Sequence, residues 1–289
     1  MSRGPWTSGI VAIAVGALAW VSAASAATTV LVYQNGFESA DPCAWSASEP
    51  AADCDPDMVF VPAASFAMGS TQGDSDELPV HTVYLDAYWI DRFEVTVDAW
   101  NACVTAGGCG SSNGSSSCNV NRPDRGDHPY NCATWSQANT YCTWAGKRLP
   151  TEAEWERAAR GTAAATYPWG ETEPTCDYAV MWDSVLGTFG CGVNHTQPVG
   201  SRAAGASALG ALDMTGNVWE WVSDWYGGDY YASSPAANPA GPATGTLRVL
   251  RGGSWYESGP SDLRAAFRNA KSPTQSFVDN GFRCARSAP

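Results

Sequence analysis

Leu212-Asp-Met-Thr-Gly-Asn-Val-Trp-Glu-Trp221 sets two carboxylates, Asp213 and Glu220, seven residues apart around a Thr-Gly-Asn turn. Carboxylates held across a tight loop can share a hard cation, with intervening carbonyls completing an oxygen shell. The alternative is a solvated or helix-capping pair. Downstream lie Arg251-Gly-Gly-Ser-Trp255 and the terminal Gly281-Phe-Arg-Cys284. Upstream, Met58-Val-Phe-Val-Pro opens the globular region, and Phe66-Ala-Met-Gly-Ser70 and Glu77 to Leu85 alternate apolar and polar residues as half-buried strands do.

Asp98 to Val104 reads as a helix, and Gly107 to Ser117, almost all Gly and Ser, as a surface loop. Thr134-x-x-Gln137 and Thr151-x-x-Glu154 each match a capping box, in which side chain and backbone satisfy each other at a helix start. Trp135, Ala138, Cys142 and Ala145 share one face of the first helix; Trp155, Ala158 and Ala159 share one face of the second, which Gly161 stops. Beyond Gly170 the chain is rich in Gly, Pro and Asn without long periodic segments. The fourteen tryptophans are expected to pack turns and core, the alternative being an exposed carbohydrate-stacking face.

Residues 1–26 read as a signal peptide: Arg3, the apolar run Ile10 to Val21, and Ala24-Ser-Ala26 before a cleavage point. The run is shorter than the ~20 residues of a spanning helix, and no membrane span is expected after cleavage. Removal takes away only Arg3 and moves the net charge from −13 to −14. So acidic a surface, with no basic cluster, argues against nucleic acid and anionic membranes as partners. Ten cysteines in an exported chain read as disulfides. Sequential pairing gives Cys43/Cys54, Cys103/Cys109, Cys118/Cys132 and Cys176/Cys191, leaving Cys142 and Cys284 to join at long range. Sequence does not fix this connectivity. The domain reading is a signal at 1–26, a Pro/Ala/Ser/Asp-rich linker at 27–56 and one domain at 57–287, secreted or periplasmic. His81 and His128 read as structural and His195 as exposed.

These segments, with Glu94-Val-Thr96, Tyr141 to Glu156, Tyr167-Pro-Trp-Gly170 and Gln197-Pro-Val-Gly200, occur in an order that resembles the formylglycine-generating enzyme, or sulfatase-modifying factor, family. The resemblance covers residues 58 to 286. It implies an irregular α+β, C-type-lectin-like fold, poor in regular secondary structure and disulfide-bonded. It implies one calcium site, from the Asp213 and Glu220 side chains with the Gly216 and Val218 carbonyls, and a structural Cys142–Cys284 disulfide. A second family calcium site looks degraded: Val180 replaces its asparagine, and a Cys176/Cys191 bridge stands in that loop.

The family oxidises a sulfatase cysteine with copper held by two cysteines beyond the Gly-Gly-Ser. Here those positions read Glu257 and Asp262, and no cysteine lies between Cys191 and Cys284. Copper(I) is soft and prefers thiolates, so neither copper nor formylglycine generation by that route is expected. The cleft residues Trp219, Ser254 and Arg268 persist, joined by Trp255, Tyr256, Glu257 and Asp262; the family's C-terminal asparagine becomes Asp279. Three functions compete: a binding or scaffold domain holding a peptide, glycan or small molecule in the former cleft; an enzyme of different chemistry, with Glu257 and Asp262 as acid and base, or a divergent oxidase; and a structural or surface-display role.

Overall fold

A computed structural model describes residues 55–111, 114–256 and 259–289. The signal segment, the linker with Cys43 and Cys54, and Glu257 lie outside them. The opening strand β1 (Met58–Val61) pairs antiparallel with β4 (Tyr88–Asp91), and β4 in turn with β9 (Ala285–Ser287), so the domain's two ends share one sheet. Between them, β2 (Ala64–Met68) and β3 (His81–Leu85) form a hairpin whose register places Phe66 opposite Val83, both buried. This is the alternation read from sequence.

Three helices follow. α1 is Val97–Thr105, with Thr96 Oγ1 accepting from Ala99 N; α2 is Trp135–Trp144 and α3 is Glu152–Arg160. Both predicted capping boxes are made, at Thr134/Gln137 and Thr151/Glu154. The remaining sheet joins β5 (Trp219–Trp225), β6 (Arg248–Arg251), β7 (Asn269–Lys271) and β8 (Asn280–Gly281) in the order β7-β6-β5-β8, β5 and β8 running parallel. Among the described residues no helix is long and apolar enough to cross a membrane.

Helix α3 departs from the amphipathic reading. Its apolar face is buried as expected, but so are Glu152, Glu154, Glu156, Arg157 and Arg160. All of these but Arg157 are paired: Arg251 Nη2 to Glu156 Oε2 at 2.6 Å, Arg268 Nε to Glu152 Oε1 at 2.7 Å, Arg160 Nη1 to Glu156 Oε1 at 2.9 Å, and Arg148 Nη1 to Glu154 Oε2 at 2.6 Å. A buried carboxylate left alone would cost several kcal/mol. The pairs therefore tie α3 to β6 and to the loop after it.

Disulfides Cys103–Cys109, Cys118–Cys132, Cys142–Cys284 and Cys176–Cys191 are all formed, and the described residues hold no free cysteine. Most of the described tryptophans serve packing and turns, Trp144 being exposed. Trp100 stacks on Tyr130 at 4.0 Å, and the indole N–H groups of Trp135, Trp155 and Trp221 reach Val222 O, Glu220 and Ala133 O. A buried indole usually finds such an acceptor; those of Trp100 and Trp219 find none among the described residues.

Candidate binding cleft and cation site

The turn before β5 is built from left-handed backbone at Asp213 (φ 53°), Gly216 (φ 83°) and Asn217 (φ 58°). At Gly216 a Cβ would sit 2.6 Å from Val180 O, so the turn closes only on glycine. Asn217 is fully buried and joins the signature segments physically. Its amide side chain exchanges hydrogen bonds with Gln197 N and O, its N–H donates to Val180 O at 2.8 Å, and its carbonyl accepts from Trp255 N at 3.0 Å. Gly216 N donates to Gly252 O at 2.8 Å. Motifs distant in sequence are thus one hydrogen-bonded unit.

Glu220 extends from this unit into the interior. Arg283 grips it with Nε on Oε2 at 2.7 Å and Nη2 on Oε1 at 2.6 Å, and Trp155 Nε1 donates to Oε2 at 2.8 Å. Asp213 accepts from Gly200 N. Glu94, which sequence reasoning missed as a site residue, is 2% exposed beside both, and its one side-chain neighbour within hydrogen-bonding reach is the Asp213 carboxyl, a second acid rather than a cation. Burial, then Asp213 and Glu220, push the Glu94 carboxyl well up; burial also raises Asp213. Three carboxylates face one guanidinium, leaving two negative charges uncompensated if all ionise. No three His, Cys, Asp or Glu side chains converge on one metal-sized point among the described residues. A cation here would draw on two side chains and backbone carbonyls, with Glu94 supplying field rather than a bond. Carboxylate and carbonyl oxygens are the donors a hard divalent ion takes, but Glu220 would have to share its two oxygens with Arg283 and Trp155; for Glu94 the available signal in sequence was the motif Glu94-Val-Thr96.

The predicted cleft residues divide. Trp255 is 8% exposed, its indole donating to Val278 O at 3.2 Å; Tyr256 is 40% exposed beside it. Ser254 and Trp219 are buried. Asp262 is half-buried and accepts from its neighbour Ser261. Arg268 does not reach this cleft: it is locked on Glu152, donates to Asp76 O at 2.7 Å, and lies over the Tyr231 ring at 4.3 Å. Its role is in the frame. His195, read as exposed, is half-buried, its ring 5.8 Å from that of His128.

A cavity of about 280 Å³ opens beside Trp255 and Tyr256. Its other walls carry Asn119, Arg122, Arg125, Asn131, His195 and Thr196, which sequence reading left as undistinguished loop. Thr196 Oγ1 accepts from Asn119 Nδ2 at 2.8 Å and lies 3.0 Å from His128 Nδ1. Burial pulls His128 down, against the opposing pull of Asp127.

Residues 46–288 match the Sulfatase-modifying factor enzyme 1-like domain. The chain belongs to that family. It is 36% identical over 282 residues to the formylglycine-generating enzyme of Streptomyces coelicolor, covering 80% of this chain and 89% of that one. Among solved structures, PvdO from Pseudomonas aeruginosa superposes with a TM-score of 0.67 at 30% identity, covering 80% of this chain and 94% of its own. Treponema denticola variable protein 1 gives 0.66 at 28% identity, covering 80% and 95%. Fold and family thus agree with the expectation from sequence.

Proposed function

We propose that this family member is an exported binding domain, stabilised by calcium at the turn Asp213–Glu220, that holds a peptide, glycan or small molecule in the cleft at Trp255 and Tyr256. On this reading it does not generate formylglycine. The observation that carries it is chemical: the segment after Gly252-Gly-Ser254 holds carboxylates and no thiol, and every described cysteine is committed to a disulfide. Copper(I) has no thiolate there to bind, so the residues do not fit that metal. Disulfides throughout the domain accord with an oxidising compartment.

The decisive experiment incubates the purified, disulfide-intact chain with a sulfatase-type cysteine peptide and cuprous ion, with mass spectrometry for the aldehyde and metal analysis alongside. Near-stoichiometric calcium, no retained copper and no aldehyde are expected. Conversion of the peptide cysteine overturns the reading.

A further inference from the structure

The cavity beside Trp255 has a charge character opposite to the rest of the chain. In a protein of net charge −13, Arg122 and Arg125 both line it, and neither forms an ion pair with any described carboxylate. Arg251, Arg264, Arg268 and Arg283, by contrast, are each ion-paired in the interior, while buried Arg157 is another arginine without an ion pair among the described residues. Arg125 donates from Nη1 to Asn119 Oδ1 at 3.0 Å, while its Nε is buried with no acceptor. An unsatisfied buried N–H is costly, and here it belongs to a side chain that lines an open cavity. Arg122 is exposed at the mouth and close enough to Arg125 to disfavour its charge.

Trp255 and Tyr256 give the cavity its aromatic lining, and Phe189, outside that lining, backs Tyr256. Phe189 stacks on Tyr256 with centroids 4.8 Å apart and meets Trp255 edge-on at 6.5 Å; Phe189 and Tyr256 are each more than a third exposed. A local disulfide fixes each wall. Cys118–Cys132 closes the loop that carries Asn119, Arg122, Arg125 and Asn131, and Cys176–Cys191 pins the turn that presents Phe189. Hydrogen bonds from Asn131 Nδ2 and Trp255 Nε1 to the one carbonyl of Val278 join the two sides. The wall positions are thereby set before any ligand arrives, which lowers the ordering cost of binding.

We infer that this cavity binds a small organic oxyanion, a carboxylate or a phosphate or sulfate ester, with a planar or ring-shaped body against Trp255 and Tyr256. Guanidinium groups recognise such oxyanions by paired hydrogen bonds as well as charge. A cavity of about 280 Å³ suits one ring and one anionic group. This assignment rests on the binding-domain reading and names its ligand class.

Isothermal titration of the calcium-loaded full chain with benzoate, phenyl phosphate and neutral benzyl alcohol tests it and separates the two anion types. Benzoate or phenyl phosphate is expected to saturate with Kd of roughly 0.1–1 mM, as about ten heavy atoms permit, and benzyl alcohol to bind at least tenfold more weakly. Arg122→Ala, at an exposed position, is expected to weaken the preferred anion about tenfold, with Arg122→Lys intermediate. Tyr256→Ala is expected to weaken phenyl phosphate more than inorganic phosphate. Equal affinity for benzyl alcohol and the anions overturns the assignment and leaves the binding-domain reading standing. Absence of saturable binding by all probes, or unchanged affinity in Arg122→Ala, overturns it too. Aldehyde formation on a cysteine peptide would instead remove the reading on which it rests.

Discussion

Glu94→Gln isolates the electrostatics of the cation site. Glu94, Asp213 and Glu220 bring three carboxylates against Arg283, and no described cationic side chain pairs with Glu94 itself. Without a cation, Glu94 keeps its proton well above the usual carboxylate range, so a neutral amide of the same shape replaces it at little cost. The variant's Tm in chelator should match or exceed that of the parent. With calcium the order reverses. A divalent ion about 8 Å from a unit charge at an effective dielectric near 20 gains ~4 kcal/mol, which is a ceiling. Partial neutralisation by Arg283 and the energy spent in releasing the Glu94 proton bring the expected loss to ~1.4–2.8 kcal/mol, or 10- to 100-fold in calcium affinity. Calcium at about 100 times its Kd stabilises the folded state by ~2.7 kcal/mol. For a domain of this size that raises Tm by roughly 5–10 °C. Thermal scans in EGTA and in a calcium series give both numbers. A parent whose Tm ignores calcium, or a Glu94→Gln variant with undiminished calcium response, refutes the reasoning.

Asp224 supplies a pH dependence of known sign. Burial, with Glu152 nearby, pushes its carboxyl up to about 7. The folded state therefore holds a proton that the unfolded chain releases near pH 4; stability falls as pH climbs from there to 7 and returns as pH drops. Between pH 8 and 5.5 the gain is about 2 kcal/mol, and denaturant titrations should find it in the parent and not in Asp224→Asn. Arg268→Met leaves Glu152 largely uncompensated and should cost about 3–5 kcal/mol by urea unfolding. Binding of benzoate or phenyl phosphate to the folded variant should stay unchanged, which separates a frame residue from a cleft residue. Replacing Cys142 and Cys284 by alanine opens a bridge spanning 142 residues. A loss of roughly 2–5 kcal/mol is expected in chemical denaturation.

What could be read from sequence was local or carried by motifs. The capping boxes at Thr134 and Thr151 need partners three residues away, and short disulfides such as Cys103–Cys109 close small loops. The hairpin β2–β3 announces itself by period-two alternation. Helix α3 was half legible: Trp155, Ala158 and Ala159 mark its apolar face, but nothing near Glu152 or Glu156 names Arg268 or Arg251. Those partners lie 116 and 95 residues away. The same distance problem misplaced Arg268 in the cleft, because a motif position says which residue recurs and not where its side chain turns. Glu94 and the Arg122/Arg125 wall escaped for a related reason. An isolated carboxylate in a strand-like segment, and two arginines in an irregular loop, acquire meaning only from neighbours that folding brings to them.

The division between frame and cleft explains how a chain can keep a family's architecture while its segment after Trp255 carries carboxylates and no cysteine. The pairs Arg283–Glu220, Arg251–Glu156 and Arg268–Glu152 and the side chain of Asn217 all lie inside the domain, and none depends on the segment after Trp255. That segment leaves the frame through two backbone bonds, Trp255 N to Asn217 O and Gly190 N to Trp255 O, and rejoins it where Leu263 O accepts from the Thr215 hydroxyl. Backbone bonds are indifferent to side-chain identity, so substitution between those anchors changes chemistry without unfolding the core. The chain's sulfur is used in the walls instead: Cys118–Cys132 and Cys176–Cys191 each brace one side of the cavity. On the proposed binding role, a cleft braced by disulfides and lined by arginines outside any ion pair would hold a ligand still, which requires no thiol free to react.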